Sequence, residues 1–269
     1  MIETVLLVPA YNEARTIAEV IRSTLPYAAR VVVIDDGSTD GTPDALAGLP
    51  VEIVRHARNL GKSASLIDGF AYALALGARN IATMDADGQH RAADIPRLVR
   101  AAERYPHSII LGSRLRNRHH APRQRRIANR LADFGVSWAT GRRIVDSQSG
   151  QRLYPATLFD VLDVHRLATD GFTLESEILI DAAAAGFDTV SVPIDTIYDP
   201  AARPSYFRPI GHTAAIAAML ARRIVPNAFC LPGLVTSLRD SAVVFDAQGG
   251  LAVAAESGAL DVKTQGARP

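Results

Sequence analysis

Short runs of apolar residues, each cut off by a turn-forming cluster, organise the N-terminal part of the chain. Thr4-Val5-Leu6-Leu7-Val8 ends at Pro9, and the pattern from Glu13 to about Leu25 predicts a helix behind it. Val31-Val32-Val33-Ile34 is apolar throughout, the pattern of a strand buried on both faces in a parallel sheet. Val51-Glu52-Ile53-Val54, Ile81-Ala82-Thr83-Met84 and Ser108-Ile109-Ile110-Leu111 predict further strands, with helices over Ser63 to Leu76 and Ala92 to Tyr105 between them. This rhythm of strand and helix predicts a doubly wound, mostly parallel α/β sheet.

The second half is less regular. Arg114 to Arg130 is dense in arginine and leads into a helix that runs to about Thr140. Arg152-Leu153-Tyr154 predicts a short strand, Glu175 to Ala185 a helix, Thr189 to Ile197 a strand and Ile210 to Ile224 an alanine-rich helix. Past Pro232 the pattern dissolves, and Gly258 to Pro269 reads as a frayed end. The expected organisation is one domain over residues 1–225, with halves at about 1–112 and 113–225, and a partly flexible extension over 226–269.

The turns behind the strands carry the chemistry. In an open α/β sheet, ligands bind in the crevice beyond the carboxyl ends of the strands. Asp85-Ala86-Asp87-Gly88-Gln89-His90 puts two carboxylates one residue apart where the strand ending at Met84 stops. Such hard oxygen donors suit a divalent cation that keeps waters and bridges substrate phosphates. Val8-Pro9-Ala10-Tyr11-Asn12-Glu13 closes the first strand, with Asn12 able to cap the next helix and Glu13 favouring its positive end. Asp35-Asp36-Gly37-Ser38-Thr39-Asp40-Gly41 closes the second; one aspartate would satisfy the turn, so the pair suggests that one is aimed at a base or ribose. Asn59-Leu60-Gly61-Lys62-Ser63 lacks the spacing of a Walker loop, because the residue five before Gly61 is His56. It still offers a helix N-terminus, with Lys62 near a diphosphate. Asp146-Ser147-Gln148-Ser149-Gly150 reads as a polar turn.

Bulk properties narrow the class. A net charge of +1 gives no reason to expect a nucleic-acid partner. The single cysteine, Cys230, excludes an intrachain disulfide or a multi-cysteine metal site and fits a reducing compartment. No apolar run approaches the ~20 residues needed to span a bilayer, and the acidic opening predicts no secretory leader. The expectation is a cytoplasmic protein, meeting the inner face of a membrane at most peripherally.

Taken together, VPAYNE, DDGSTDGT, NLGKS, DADGQH, GSR (Gly112 to Arg114) and DSQSG resemble the family 2 glycosyltransferases of GT-A fold, in particular the dolichyl- and polyprenyl-phosphate sugar transferases. The resemblance spans roughly residues 3 to 210. It implies a Rossmann-like nucleotide-binding half merged with an acceptor-binding half. It also implies a metal-dependent, inverting transfer of a hexose from GDP- or UDP-hexose to a lipid phosphate, with Mg²⁺ or Mn²⁺ as cofactor. Pro9, Tyr11, Glu13 and Asp36 then match the nucleotide-binding set, and Asp85, Ala86 and Asp87 the metal-binding triplet, with Gln89 as a third metal contact. Arg114 matches an arginine at the reacting centre; Arg125 or Arg126 matches a second, and the register between them stays open. Arg203 and Arg208 fall in the late phosphate-clamping segment. There the chain departs from the pattern, reading Arg203-Pro204-Ser205-Tyr206-Phe207-Arg208 where many relatives have arginine followed by Gly-x-Ser-Lys.

Two further readings differ in acceptor or chemistry. A hydroxyl acceptor on a soluble molecule or glycolipid would require a general base, for which Asp170 and Glu175 are the candidates. A nucleotidyltransferase would show a glycine-rich basic loop after the first strand, and VPAYNE is not one. The arginine-rich stretch reads either as a solvated basic loop or as one that docks on anionic lipid, and the Ile210 to Ile224 helix, which ends in Arg222-Arg223, either as an interfacial element or as a core helix.

Overall fold

The computed structural model describes residues 2–114, 123–167, 173–197, 209–225, 230–245, 251–254 and 260–261. The strands are β1 (Ile2–Ala10), β2 (Arg30–Asp35), β3 (Glu52–Arg55), β4 (Ala78–Thr83), β5 (Ser108–Ser113), β6 (Arg152–Pro155), β7 (Asp188–Pro193), β8 (Val243–Phe245), β9 (Leu251–Ala254) and β10 (Leu260–Asp261). They form a single sheet in the order β10-β9-β8-β7-β5-β6-β4-β1-β2-β3. Pairing is parallel from β4 through β1 and β2 to β3, and again among β5, β7 and β8. β6 runs antiparallel between β4 and β5, so its N-terminal end meets their C-terminal ends. The result is the mostly parallel, mixed α/β sheet of a GT-A fold.

The apolar runs do what their pattern requires. Val5 and Leu7 of β1 face one side of the sheet and Leu6 and Val8 the other, all fully buried. The first side is covered by α3 (Lys62–Ala75), α5 (Arg123–Thr140), α6 (Leu174–Ala184) and α7 (Pro209–Ile224). The second is covered by α1 (Ile17–Thr24), α2 (Thr42–Leu46) and α4 (Ile95–Arg104).

Several elements depart from the sequence reading. The helix expected from Glu13 begins only at Ile17, because Asn12 takes a left-handed conformation (φ 55°) and a turn intervenes. Ala92–Asp94 form a 3₁₀ turn ahead of α4. β7 stops at Pro193, which lacks an N–H for the ladder; beyond it, Thr196 makes an isolated bridge to His90. The stretch past Pro232 is not patternless: α8 (Leu231–Arg239) packs on α5, and β8 continues the sheet beside β7. α7 packs one side into the core, one of the two readings its pattern allows. Its Ile216, Met219, Leu220 and Ile224 are buried, and Arg223 is paired with Asp181 and Glu177 of α6.

Candidate active site

The loops after β1, β2 and β4 lie at one edge of the sheet, and side chains bind them to one another. Asn12 does not cap α1. Its N–H donates to Ser38 Oγ (2.9 Å), and its Oδ1 accepts from the Thr39 N–H (2.8 Å), tying the first loop to the second. The Glu13 N–H donates to Thr42 Oγ1 (2.8 Å). Pro9 and Ala10 end β1 beside Ile34 and Asp35 of β2, and Tyr11 follows directly. Asp35 accepts from the Ser38 N–H (2.9 Å) and pairs with Arg55 (3.1 Å). Asp36, expected to face a nucleotide, is buried and accepts from the N–H groups of Leu60 and Gly61 (2.8 Å each), with His56 Nδ1 2.7 Å away. Its carboxylate therefore holds the Asn59–Gly61 loop and, through it, the start of α3.

Lys62 is the first residue of α3, and its ammonium bridges Asp85 Oδ1 (2.7 Å) and Glu175 Oε2 (3.0 Å). Glu175 Oε1 lies 3.5 Å from Nε of Arg152, which is almost fully buried. Arg152 donates to the carbonyls of Ser149 (2.7 Å), Glu175 (2.8 Å) and Ser147 (2.6 Å). Charges thus alternate from Asp85 through Lys62 and Glu175 to Arg152. Alternation is what makes this chain of charges tolerable, with Arg152 and Glu175 buried and Lys62 and Asp85 partly exposed. Burial opposes charge on both Lys62 and Asp85, but their mutual attraction prevails. Lys62, with Glu175 assisting, is held above the ordinary lysine value. Asp85, with His90 Nε2 3.6 Å away, is held well below the carboxylate range.

Asp87 is pushed the other way, up, by burial and by the negative charge of Asp85. It accepts from the Gln89 N–H (3.0 Å). Ala86 between them is buried, and its carbonyl accepts from Thr16 Oγ1 (2.8 Å), which anchors the triplet to α1. Gly150 completes this corner: a Cβ there would fall 2.1 Å from Asp85 Oδ2, so the carboxylate occupies the space that glycine leaves.

This donor set fits a divalent cation. Two carboxylate groups at a strand end, one of them lacking enough positive charge nearby to stay in its usual range, are what a hard cation would satisfy. Among the described residues no three His, Cys, Asp or Glu side chains converge as a cage.

Arg114, at the end of β5, is buried and locked in a fork. Its Nε donates to Asp146 Oδ2 (2.9 Å), a second guanidinium nitrogen to Oδ1 (2.6 Å), and its backbone N–H also to Oδ2 (2.6 Å). Asp146 is in turn held by Asp133 of α5, which accepts from the N–H groups of Asp146 (3.0 Å) and Ser147 (2.7 Å). Arg125 and Arg126 lie in the first turn of α5. Arg203, Arg208 and Asp170 fall outside the described residues, as does part of the arginine-rich stretch.

The polar-turn pattern of DSQSG hides the role of Asp146, and the sequence pattern does not reveal those of Asp133 in α5 and Arg152 in β6. One signal was present: an arginine opening an otherwise apolar strand must find buried acceptors.

Carboxylates and arginines gather at the C-terminal edge of this sheet, where an open α/β fold binds its ligands. Residues 5–161, more than half of the chain, match the model of Glycosyl transferase family 2, and the chain belongs to that family as a glycosyltransferase. It is 29% identical to the UDP-N-acetylglucosamine–dolichyl-phosphate N-acetylglucosaminyltransferase of Methanococcus voltae, over 72% of this chain and 85% of that one. It is 27% identical to the polyprenol monophosphomannose synthase of Mycolicibacterium smegmatis, over 71% of this chain and 76% of that one. Among solved structures, glucosyl-3-phosphoglycerate synthase from Mycobacterium tuberculosis with phosphoglyceric acid superposes with a TM-score of 0.65 at 20% identity, covering 82% of this chain and 79% of that one. The same enzyme in complex with Mn²⁺, UDP and glucosyl-3-phosphoglycerate gives a TM-score of 0.59 at the same identity and coverage. No helix among the described residues is long and apolar enough to cross a membrane.

Proposed function

We propose that this glycosyltransferase moves a hexose, with inversion, from a GDP- or UDP-hexose to a polyprenyl phosphate. The observation that carries this reading is the placement of Asp85 and Asp87 at the end of β4, with Arg114 held rigidly at the end of β5 across the antiparallel β6. The relatives named for polyprenyl and dolichyl phosphates support the acceptor class.

The reaction breaks the bond between the anomeric carbon and the donor phosphate oxygen, and the electron pair leaves with the nucleoside diphosphate. An acceptor phosphate oxygen forms the new bond from the opposite face. Pro9, Tyr11, Glu13 and Asp36 frame the nucleotide, Asp36 by shaping the loop that precedes Lys62. Asp85 and Asp87, with Gln89 beside them, would hold Mg²⁺ or Mn²⁺, which supplies charge neutralisation at the leaving diphosphate. Lys62 and Arg208 add positive charge there. Arg114, Arg203 and one of Arg125 and Arg126 hold the acceptor phosphate close to the donor, overcoming the repulsion between two anions. A lipid phosphate is already ionised at neutral pH, so no strong base is required. A hydroxyl acceptor would need one, and Glu175 has its Oε2 engaged by Lys62.

Thermal-shift titration with GDP, UDP, CDP, ADP and dTDP, each with and without Mn²⁺, tests the donor side. A ligand at a hundredfold excess over Kd stabilises by about 2.7 kcal/mol. One diphosphate is expected to raise Tm only with metal, and its labelled hexose to move onto undecaprenyl phosphate in detergent. No shift with any diphosphate, or transfer only to a soluble hydroxyl, would overturn the proposal.

A further inference from the structure

α5 is apolar on two sides. Ala132 and Val136 face the core, as expected of a packed helix. On the opposite side Ile127, Leu131 and Phe134 are between 41 and 59% exposed; Trp138, half-buried against the core, sets its ring 5.9 Å from that of Phe134 and closes the row. Their spacing places all four on one helical face. α8 repeats the pattern: Leu231, Val235 and Leu238 are between 45 and 60% exposed. The two helices pack closely, with the Gly233 backbone so near the Trp138 carbonyl that a Cβ would sit 2.9 Å from it. Two outward apolar rows therefore lie on neighbouring helices, and rows of this kind mark an interaction surface.

The charges beside the rows identify the partner. On the helical wheel Arg123 and Arg130 line one edge of the α5 row, both exposed, and Arg239 closes α8, followed by Asp240. The acid within α5, Asp133, is turned inward to the Asp146–Ser147 backbone. An apolar strip edged by arginine is the pattern of a helix lying in a lipid interface. A symmetric pair of copies joined through this face would bring like charges together, whereas anionic headgroups neutralise them.

We propose that α5 and α8 form the face by which this protein docks onto an anionic lipid bilayer. The apolar rows enter the headgroup boundary, and the arginines engage lipid phosphates. Through Asp133 and Asp146, the inner side of α5 supports Arg114, so the docking face and the site lie on opposite sides of one helix, about 10 Å across. A lipid-borne acceptor phosphate would then be delivered beside the site; this last consequence rests on the proposed function, while the docking itself does not.

The test is flotation of the full chain with vesicles of phosphatidylcholine containing about one-third phosphatidylglycerol, and with phosphatidylcholine alone, both free of polyprenyl phosphate. The protein is expected to float with the anionic vesicles, less so at high salt. The Leu131→Glu/Phe134→Glu and Val235→Glu/Leu238→Glu variants should need on the order of tenfold more lipid for the same binding. Because these side chains are exposed, Tm should stay within about 2 °C and the nucleotide-dependent thermal shift should persist. Protein that stays below the anionic vesicles overturns the proposal, as do variants that float like the parent. So does a dimer, seen by light scattering, that these substitutions dissolve without any vesicle binding. A protein that floats yet transfers no sugar to polyprenyl phosphate retains the docking face and loses only the acceptor assignment.

Discussion

Gly150→Ala isolates the position of Asp85 from its chemistry. The added Cβ would lie 2.1 Å from Asp85 Oδ2, where ordinary contact begins at 3.4 Å. The short aspartate side chain yields more readily than the backbone, so its carboxylate must withdraw by more than about 1 Å. That movement separates Asp85 from Lys62, and Lys62 retains Glu175. The ion pair is partly exposed, so the loss in stability is about 1 kcal/mol or less. In a protein of this size that corresponds to a Tm drop of about 2–4 °C. A misplacement of about 1 Å at a reacting centre costs on the order of 10²-fold in rate. The assay is transfer of labelled hexose from the donor identified by thermal shift, measured beside Tm. The expected result is a fold that is nearly intact and a kcat lowered by on the order of a hundredfold. Activity within about twofold of the parent would refute the reasoning, because it would mean that the Asp85 carboxylate need not stand where the glycine admits it.

Two more outcomes rest on the same geometry. Asp146→Ala removes both oxygens from the buried Arg114 fork, leaves a guanidinium without its main counter-charge and should destabilise by about 3 kcal/mol; the urea midpoint reports it, and an unchanged midpoint would sink the account. Burial pushes the Tyr154 hydroxyl up to about 12, against 10.0 when unfolded, so above pH 10 the unfolded chain loses that proton first. Stability present below the unfolded pKa is therefore lost as pH rises towards the folded one, by up to about 2.7 kcal/mol. Tyr154→Phe should flatten this part of the alkaline limb in urea melts, and parallel limbs for the two proteins would contradict it.

The elements that the sequence alone determined are those whose signal is local. Strands such as β1 and β2 are buried on both faces along their middles, so those positions are apolar in succession, and a continuous run announces them. Their ends are equally visible, because Pro9, Asp36-Gly37 and Asp85-Ala86-Asp87 break that run with residues a sheet interior cannot hold. Tertiary structure alone decided what those ends touch. Lys62, Asp85, Arg152 and Glu175 meet because β6 runs backwards between β4 and β5, and strand order leaves no trace in hydrophobic period. Asp36 resembles a ligand-binding residue in sequence, but the return of the Asn59–Gly61 loop supplies it with backbone donors. For α5 the pattern shows apolar residues on both sides, and only the packed fold reveals which side is covered. Burial is a relation between segments distant in the chain, whereas periodicity describes one segment at a time.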